Sequence, residues 1–197
     1  MSTIVIATRN QGKAHEYKKM FLSKGIRVKT LFDFPGQLQA KETGHSFEEN
    51  ATLKAESAVQ RLKMPALADD SGLEVKAINN EPGIYSARYA GDHNNIANQR
   101  KLLKKLRNID DRRAQFVTCL VLLKPSGKKL VVYGRLRGQI LRSPQGHNGF
   151  GYDPLFYVPK YHKTLAQMTT DQKDRISHRG IATRKMMTNF TNWWNYD

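Results

Sequence analysis

The order of apolar and polar positions predicts that the chain begins with a strand, a helix and a second strand. Residues 4–7 are an apolar run that stops at the polar segment 8–13, which indicates a buried strand followed by a turn. A helix should follow this turn and end near Gly25. Residues 26–31 then alternate between apolar and polar side chains, as a second strand would.

A capping box marks the start of the next predicted helix. Ser46 and Glu49 stand at the spacing with which their side chains can satisfy each other's backbone N–H groups. The helix should end before Pro65, which cannot continue it. The stretch 66–78 predicts a strand that is broken by a sharp acidic turn at residues 69–72 and then resumes.

The second half of the chain contains the clearest hairpin. Two runs rich in apolar residues, 114–123 and 129–141, are separated by Pro-Ser-Gly at 125–127, and a helix is predicted before them over 94–107. The last helix carries an apolar stripe, which is typical of a core or an interface, made of Met186, Met187, Phe190, Trp193 and Trp194. The mixture of helices, strands and a long hairpin predicts an α/β fold with a mixed sheet.

The charge balance predicts an anionic partner without identifying it. The 197 residues suffice for one large domain or for two lobes around a shared core. Lysine and arginine number 33 against 17 aspartates and glutamates, a net charge of +16, which attracts nucleic acid, acidic surfaces or polyphosphates. Because the chain lacks a basic tail and an aromatic RNA-binding motif, we expect no specific nucleic-acid partner.

Cysteine content and hydropathy predict a cytoplasmic protein that does not enter a membrane. Cys119 is the single cysteine, so neither an internal disulfide nor a cysteine-rich metal site can form. No apolar run approaches the roughly 18 residues that span a bilayer. The first residues lack the basic region and cleavage site of a signal peptide.

The segment that links the first strand to the first helix is a candidate phosphate site. Such a turn presents the free backbone N–H groups and the positive end of a helix. Arg9 and Lys13 add formal charge, and Asn10 can donate a hydrogen bond. The segment is no Walker A loop, because Ala7 and Ala14 stand where that motif needs glycine and Ser/Thr. From the residues alone, an ordinary strand-to-helix turn is an equally good interpretation.

Adjacent carboxylates make the acidic segment a candidate metal site. Asp69 and Asp70 concentrate negative charge, and Glu42 is a further acid with no evident capping role. Mg²⁺ prefers oxygen ligands of this kind, and a carboxylate can also deprotonate an attacking water. A plain turn and a solvated glutamate are the alternatives.

Two short segments near the end of the chain could bind a planar ligand. Glycines on either side of Phe150 allow its ring to lie flat against a base, and Asp153 could accept a hydrogen bond from a base N–H. Lys173 lies on a probable short helix, and His178 and Arg179 are predicted at the start of the next one. Each of these signals is weak alone.

Six segments in this order resemble the inosine triphosphate pyrophosphatase family, also called Ham1-like or non-canonical purine NTP pyrophosphatases. The resemblance extends from residue 4 to about residue 182 and is carried by TRNQGK at 8–13, SFEENA at 46–51, ADDSGL at 68–73, PGIYSARY at 82–89, GFGYDP at 149–154 and SHRG at 177–180. It implies an elongated two-lobed fold, with residues 1–197 as a single domain and the active site in the cleft between the lobes. It also implies a homodimer, Mg²⁺ as cofactor, and hydrolysis of ITP, dITP and XTP to the monophosphate and pyrophosphate.

The resemblance further implies a role for each matching residue. Asp70 would be the general base and a metal ligand, and Glu42 the second metal ligand. The triphosphate would be bound by Thr8, Arg9, Asn10, Gln11, Gly12, Lys13, Lys54 and Ser71. The purine would be bound by Phe150, Gly151, Tyr152, Asp153, Lys173, His178 and Arg179, with Phe150 stacking on its ring.

Two other classes of protein remain alternatives. A nucleotide-binding kinase or GTPase would release or transfer the γ-phosphate, but the defective Walker pattern and the lack of a kinase signature argue against it. A nucleic-acid-binding module would show a steep loss of affinity with salt and no hydrolysis of nucleotides.

Overall fold

A computed structural model describes residues 3–9, 11–22, 25–36, 40–91 and 94–195, apart from the side chains at positions 16, 19 and 20. The strands in these ranges are β1 (Thr3–Ile6), β2 (Arg27–Thr30), β3 (Ala66–Val75), β4 (Glu81–Pro82), β5 (Arg113–Leu123), β6 (Lys129–Ile140), β7 (Phe156–Val158) and β8 (Lys163–Thr164). The α-helices are α1 (Gln11–Leu22), α2 (Phe47–Leu62), α3 (Asn95–Lys105), α4 (Thr170–Ile176) and α5 (His178–Asn195). Short 3₁₀ helices cover Leu31–Asp33, Lys76–Ile78, Gly83–Arg88, Pro159–Tyr161 and Leu165–Gln167.

The described strands form one mixed sheet in the order β2-β1-β3-β5-β6-β7-β8, with β4 beside β3. The pairs β1–β2 and β1–β3 are parallel, whereas β3–β4, β6–β7 and β7–β8 are antiparallel. The predicted mixed α/β fold and its long hairpin are therefore confirmed. The chain divides into two compact units. Unit 1 comprises Met1–Asp70, Cys119–Val132 and Lys185–Asp197, and unit 2 comprises Ser71–Thr118 and Tyr133–Arg184.

In unit 1, helix α1 follows β1 and is itself followed by β2, which places the polar segment 8–13 at the carboxyl end of β1. Within α1, Tyr17 and Phe21 are buried, as the apolar pattern of this segment requires. The ring of Phe21 lies 5.2 Å from that of Phe190 on α5. Met186, Phe190 and Trp193 of the predicted apolar stripe are buried in the core, whereas Met187 and Trp194 are half-buried.

The prediction of an acidic turn at residues 69–72 is wrong. Strand β3 continues without a break from Ala66 to Val75, and residues 76–78 form a 3₁₀ helix instead of more strand. Asp69 and Asp70 are almost fully buried inside this strand, with relative exposures of 4% and 8%. Buried carboxylates are tolerated only when charges and donors satisfy them, and here the partners come from α1 and α2, distant in sequence.

The capping box of α2 is half confirmed. Ser46 accepts a hydrogen bond from the backbone N–H of Glu49 at 3.1 Å, as expected. The carboxylate of Glu49, however, accepts from the backbone N–H of His45 at 2.8 Å, one residue earlier than the capping box requires. The helix ends on Lys63 in a left-handed conformation, before Pro65.

Unit 2 has its own hydrophobic core, built around the carboxyl end of β3, α3 and the hairpin strands. Its fully buried side chains include Leu73, Leu102, Leu106, Leu155 and Phe156. This core supports the loop that contains Phe150. Among the helices of the described residues, none combines the length and the apolar character needed to cross a membrane.

Candidate active site

The predicted phosphate segment leads directly into the amino end of α1. Gln11, Gly12 and Lys13 form the first turn of this helix, which contains no acidic residue. The first N–H groups of a helix have no carbonyl partner within it, so this end attracts anions. Thr8 is half-buried, and the exposed Arg9 donates to the carbonyl of Gly36 at 3.3 Å. Asn10 lies outside the described residues.

An ion pair ties this helix to the acidic strand. The Lys13 Nζ lies 2.6 Å from the Asp69 Oδ2, and the Asp69 side chain is only 3% exposed. Its charge therefore needs a close counter-ion, which Lys13 supplies. The pair fixes the Lys13 ammonium against the buried carboxylate of Asp69.

A second lysine bridges two carboxylates. The Lys54 Nζ lies 2.8 Å from the Glu42 Oε1 and 3.2 Å from the Asp70 Oδ1. Asn50 is fully buried and donates to the Asp70 Oδ2 at 3.2 Å, while its own Oδ1 accepts from the backbone N–H of Gly44 at 2.9 Å. Glu42 and Asp70 therefore share the ammonium group of Lys54. The partners that the structure shows for Lys54, which was predicted to contact phosphate, are these carboxylates.

The local geometry explains why the two adjacent aspartates have different partners. Successive residues of a strand point to opposite faces, so Asp69 meets α1 and Asp70 meets α2. Asn50 and Lys54 are four residues apart and share one face of α2. The strand interior thereby holds both carboxylates in fixed directions, which a flexible turn would not do.

Burial and neighbouring charges shift the pKa values of both Asp70 and Lys54 upward. Burial raises the pKa of Asp70, Lys54 opposes the rise, and Glu42 and Asp69 add to it. Burial lowers the pKa of Lys54, but Asp70, Asp69 and Glu42 together outweigh it, so that its pKa is raised. Lys54 stays protonated, and Asp70 is a better base than an ordinary aspartate.

The described residues contain no group of three or more His, Cys, Asp or Glu side chains placed to hold a metal ion. A complete protein cage is not what Mg²⁺ requires, since it is commonly held by one or two carboxylates plus substrate phosphates and water. Glu42 and Asp70 provide hard oxygen donors that already converge on one cationic group. These two residues fit a magnesium ion that is completed by a polyphosphate.

The remaining predicted residues lie in unit 2. The Ser71 Oγ and the Thr118 Oγ1 are 2.9 Å apart across neighbouring strands. Asp153 is 3% exposed, and its Oδ2 accepts from the Lys173 Nζ at 2.5 Å and from the backbone N–H of Phe150 at 2.9 Å. Asp153 therefore holds the Phe150 loop and Lys173 together.

The aromatic loop presents one ring and buries another. Phe150 is 58% exposed, and the Lys173 Nζ lies 4.9 Å from its ring centroid. Tyr152 is 4% exposed, and its hydroxyl donates to the carbonyl of Ser86 at 3.0 Å. Of the two, Phe150 has the surface that a purine could stack on, whereas Tyr152 anchors the loop.

His178 and Arg179 form the first turn of α5, as the sequence predicts. The His178 ring stacks on Phe116 with centroids 4.8 Å apart and an interplanar angle of 14°. Arg179 is half-buried. The amino end of α5 and the guanidinium of Arg179 both favour a polar or anionic ligand group here.

Sequence reasoning missed Asn50 and the role of Asp69. The signal for Asn50 was available, because it interrupts the apolar stripe of α2 and stands four residues before Lys54. The pairing of Asp69 with Lys13 joins residues 56 positions apart. No local pattern could have found that pairing.

Comparison with known proteins identifies the family of this chain. The model of the Ham1 family matches residues 4–189. The chain belongs to the Ham1 family. A "dITP/XTP pyrophosphatase" of Lactiplantibacillus plantarum is 54% identical over 194 residues, which cover 98% of this chain and 96% of that relative.

Two further Ham1 relatives show the same correspondence. A "dITP/XTP pyrophosphatase" of an Exiguobacterium species is 50% identical over 93% of this chain and 94% of that protein. The structure of the Staphylococcus aureus Ham1 protein is 46% identical and has a TM-score of 0.92, covering 97% of this chain and 99% of that one. Sequence and fold therefore assign this chain to the Ham1 family over nearly its whole length.

Proposed function

We propose that this protein hydrolyses non-canonical purine nucleoside triphosphates, namely ITP, dITP and XTP, to the nucleoside monophosphate and pyrophosphate. The observation that carries the proposal is the convergence of Glu42 and Asp70 on Lys54, with the amino end of α1 in the same unit. Family membership and the names of its relatives support the same activity.

The reaction needs a water molecule, a base and charge neutralisation. Asp70 accepts the proton of a water whose oxygen attacks the α-phosphorus, while the bond from that phosphorus to the bridging oxygen breaks and pyrophosphate leaves. Asp70 is fixed by Asn50 and Lys54, and a carboxylate held in this way can take up the proton of the water. Asn50 holds the second carboxylate oxygen, so that Oδ1 keeps a fixed direction.

Phosphate binding is assigned to unit 1. Lys13 and the N–H groups of the first turn of α1 neutralise the triphosphate, and Lys54 stands beside the base. When bound, Mg²⁺ held by Glu42 and Asp70 supplies Lewis-acid stabilisation of the phosphate oxygens. Hydrolysis of a phosphoanhydride depends mainly on positioning the reactants and neutralising charge, because the protein forms no covalent bond to the substrate.

Base selection is assigned to unit 2. Phe150 stacks on the purine, and donors from Lys173, His178 and Arg179 satisfy the 6-oxo group. An adenine amino group at that position would leave these donors unpaired, which costs about 1–3 kcal/mol for each buried group. Two such groups give roughly a hundredfold preference or more for a 6-oxo purine over adenine.

One assay tests the proposal. The protein is incubated with ITP, XTP, dITP, ATP and GTP in Mg²⁺, and pyrophosphate and phosphate are measured separately. We expect pyrophosphate with the first three nucleotides, slow turnover of ATP and GTP, and loss of activity in EDTA. Phosphate as the first product would indicate a γ-phosphatase instead, and equal kcat/KM for ITP and ATP would contradict the base selection.

Oligomeric state, compartment and domain organisation complete the proposal. We propose a homodimer in the cytoplasm, with residues 1–197 acting as one two-lobed domain, as the resemblance implies. Light scattering coupled to size exclusion would give about twice the 22.5 kDa mass of the chain. A mass of one chain at micromolar concentration would refute the dimer.

A further inference from the structure

We propose that Gln99 is a positioning residue for the purine end of the substrate, acting through the backbone of the loop that contains Phe150. Gln99 lies on α3, and no feature of the sequence singled it out. Its Nε2 donates to the carbonyl oxygen of Gly151 at 2.6 Å, across 52 residues of sequence. The inference rests on the proposed function, since it assigns a role in binding the same substrate.

The loop needs an external anchor because two of its residues are glycines in the left-handed region. Gly149 has φ +77° and Gly151 has φ +63°. Glycine has the greatest conformational freedom of any residue, so holding these angles costs entropy that other contacts must offset. Phe150 lies between them with 58% of its surface exposed, and the Lys173 Nζ lies over its ring at 4.9 Å from the centroid.

Within the loop, Asp153 contacts both backbone polar groups of Phe150. The Phe150 carbonyl accepts from the backbone N–H of Asp153 at 3.2 Å, and the Phe150 N–H donates to the Asp153 Oδ2, which Lys173 also holds. A carbon placed on Gly149 would come within 2.1 Å of that carboxylate oxygen, so this side of the loop is tightly packed. On Gly151 the same construction meets nothing within 4 Å. The hydrogen bond from Gln99 acts on this more open side.

Helix α3, which carries Gln99, is itself held in place by buried contacts. Its residue Asn98 is 2% exposed, accepts from the backbone N–H of Ala90 at 2.6 Å and donates to the carbonyl of Ala87 at 3.1 Å. Leu102, one turn further along, is fully buried in the core of unit 2. The hydrogen bond from Gln99 therefore restrains the Gly151 carbonyl relative to helix α3.

The test compares glutamine variants that lose one hydrogen bond each. Gln99→Met keeps the length of the side chain and removes the donor, and Gln99→Glu places a carboxylate against the Gly151 carbonyl. The matched control is Gln115→Met, because Gln115 is also half-buried in unit 2 and donates to the Glu74 carboxylate at 2.7 Å. KM and kcat are measured for ITP and XTP, together with inhibition by inorganic tripolyphosphate, which has no base.

We expect Gln99→Met to raise KM for both nucleotides roughly 2- to 12-fold, the range for the loss of one neutral hydrogen bond. Gln99→Glu should raise it further, because its carboxylate repels the carbonyl. The inhibition constant of tripolyphosphate should stay within about twofold in both variants, since the phosphate-binding residues of unit 1 are untouched. Gln115→Met should leave every constant near that of the unmodified protein.

A second measurement does not depend on turnover. Hydrogen–deuterium exchange of a peptide covering residues 146–154 should be faster in Gln99→Met than in the unmodified protein or in Gln115→Met. Equal exchange in the three proteins, or a KM for ITP that does not change, would overturn the role of Gln99. A parallel rise in the tripolyphosphate constant would overturn it as well, because the defect would then not be confined to the base. If the unmodified protein released no pyrophosphate from ITP, the proposed function would fall, and exchange would still decide whether Gln99 anchors the loop.

Discussion

Replacing Lys54 by methionine tests whether the carboxylates of Glu42 and Asp70 need a positive charge between them for the protein to be stable. At an effective dielectric constant of about 20, attraction across its 2.8 Å and 3.2 Å contacts amounts to about 6 and 5 kcal/mol before desolvation is counted. Desolvation offsets much of this sum, and removing one partner of a buried ion pair typically costs about 3–5 kcal/mol. Because the Glu42 side chain is 25% exposed and screened by water, we expect about 3 kcal/mol.

A loss of this size lowers the Tm by about 6–12 °C for a protein of this length. Lys129→Met is the matched control, since Lys129 also lies near a carboxylate, that of Glu48, at 3.4 Å. Both of those side chains are more than a third exposed, so their pair contributes less than about 1 kcal/mol. Thermal and urea denaturation of the three proteins give the comparison.

Magnesium provides the second half of the test. If Glu42 and Asp70 hold Mg²⁺, the ion neutralises the same charges as Lys54 and stabilises the folded state by mass action. It should therefore raise the Tm of Lys54→Met more than that of the unmodified protein. Equal losses in Lys54→Met and Lys129→Met, or an equal effect of Mg²⁺ on the variant and the unmodified protein, would refute the reasoning.

Four further substitutions probe the base, the two ends of the substrate and the aromatic loop. Asp70→Asn should lower kcat by roughly 10²–10⁴-fold while the protein stays folded by circular dichroism, and near-normal turnover would remove Asp70 from the mechanism. Lys13→Ala should weaken binding of every triphosphate alike, whereas Arg179→Ala should change the ratio of kcat/KM for ITP and ATP. The reverse pattern would assign base selection to Lys13 and phosphate binding to Arg179. Gly149→Ala should raise KM for ITP and cost at least about 1–2 kcal/mol of stability in urea. The positive φ accounts for that amount, and the clash of the new carbon with Asp153 at 2.1 Å adds to it. Unchanged KM and stability would contradict the packing argument.

Local pattern determined most of the secondary structure. The strand at residues 4–7, the helix closed by Pro65 and the hairpin around residues 125–127 were all predicted within a few positions. These elements depend on periodicity, capping and turn residues, which are properties of neighbouring side chains. The apolar stripe on α5 was also predicted as a core or an interface from spacing alone, and three of its side chains are buried in the core.

The pattern failed where distant residues decide the outcome. Asp-Asp-Ser-Gly has the composition of a turn, yet Asp69 and Asp70 lie inside a continuous strand. They can do so because Lys13, Lys54 and Asn50 satisfy their charges there. The local preference of these four residues for a turn was outweighed by contacts with residues far away in the sequence, and four residues alone do not reveal such contacts.

The sequence by itself determined the mixed α/β elements and, through six ordered motifs, the family and the residue types available for catalysis. Only the tertiary structure decided which side chains meet: Glu42 and Asp70 on Lys54, Asp153 on Lys173, and Gln99 on the Gly151 carbonyl. The physical reason is one of range. Capping and periodicity act over about four residues, whereas these charge pairs and hydrogen bonds close over 12 to 52 residues and form only when the sheet and helices are in place.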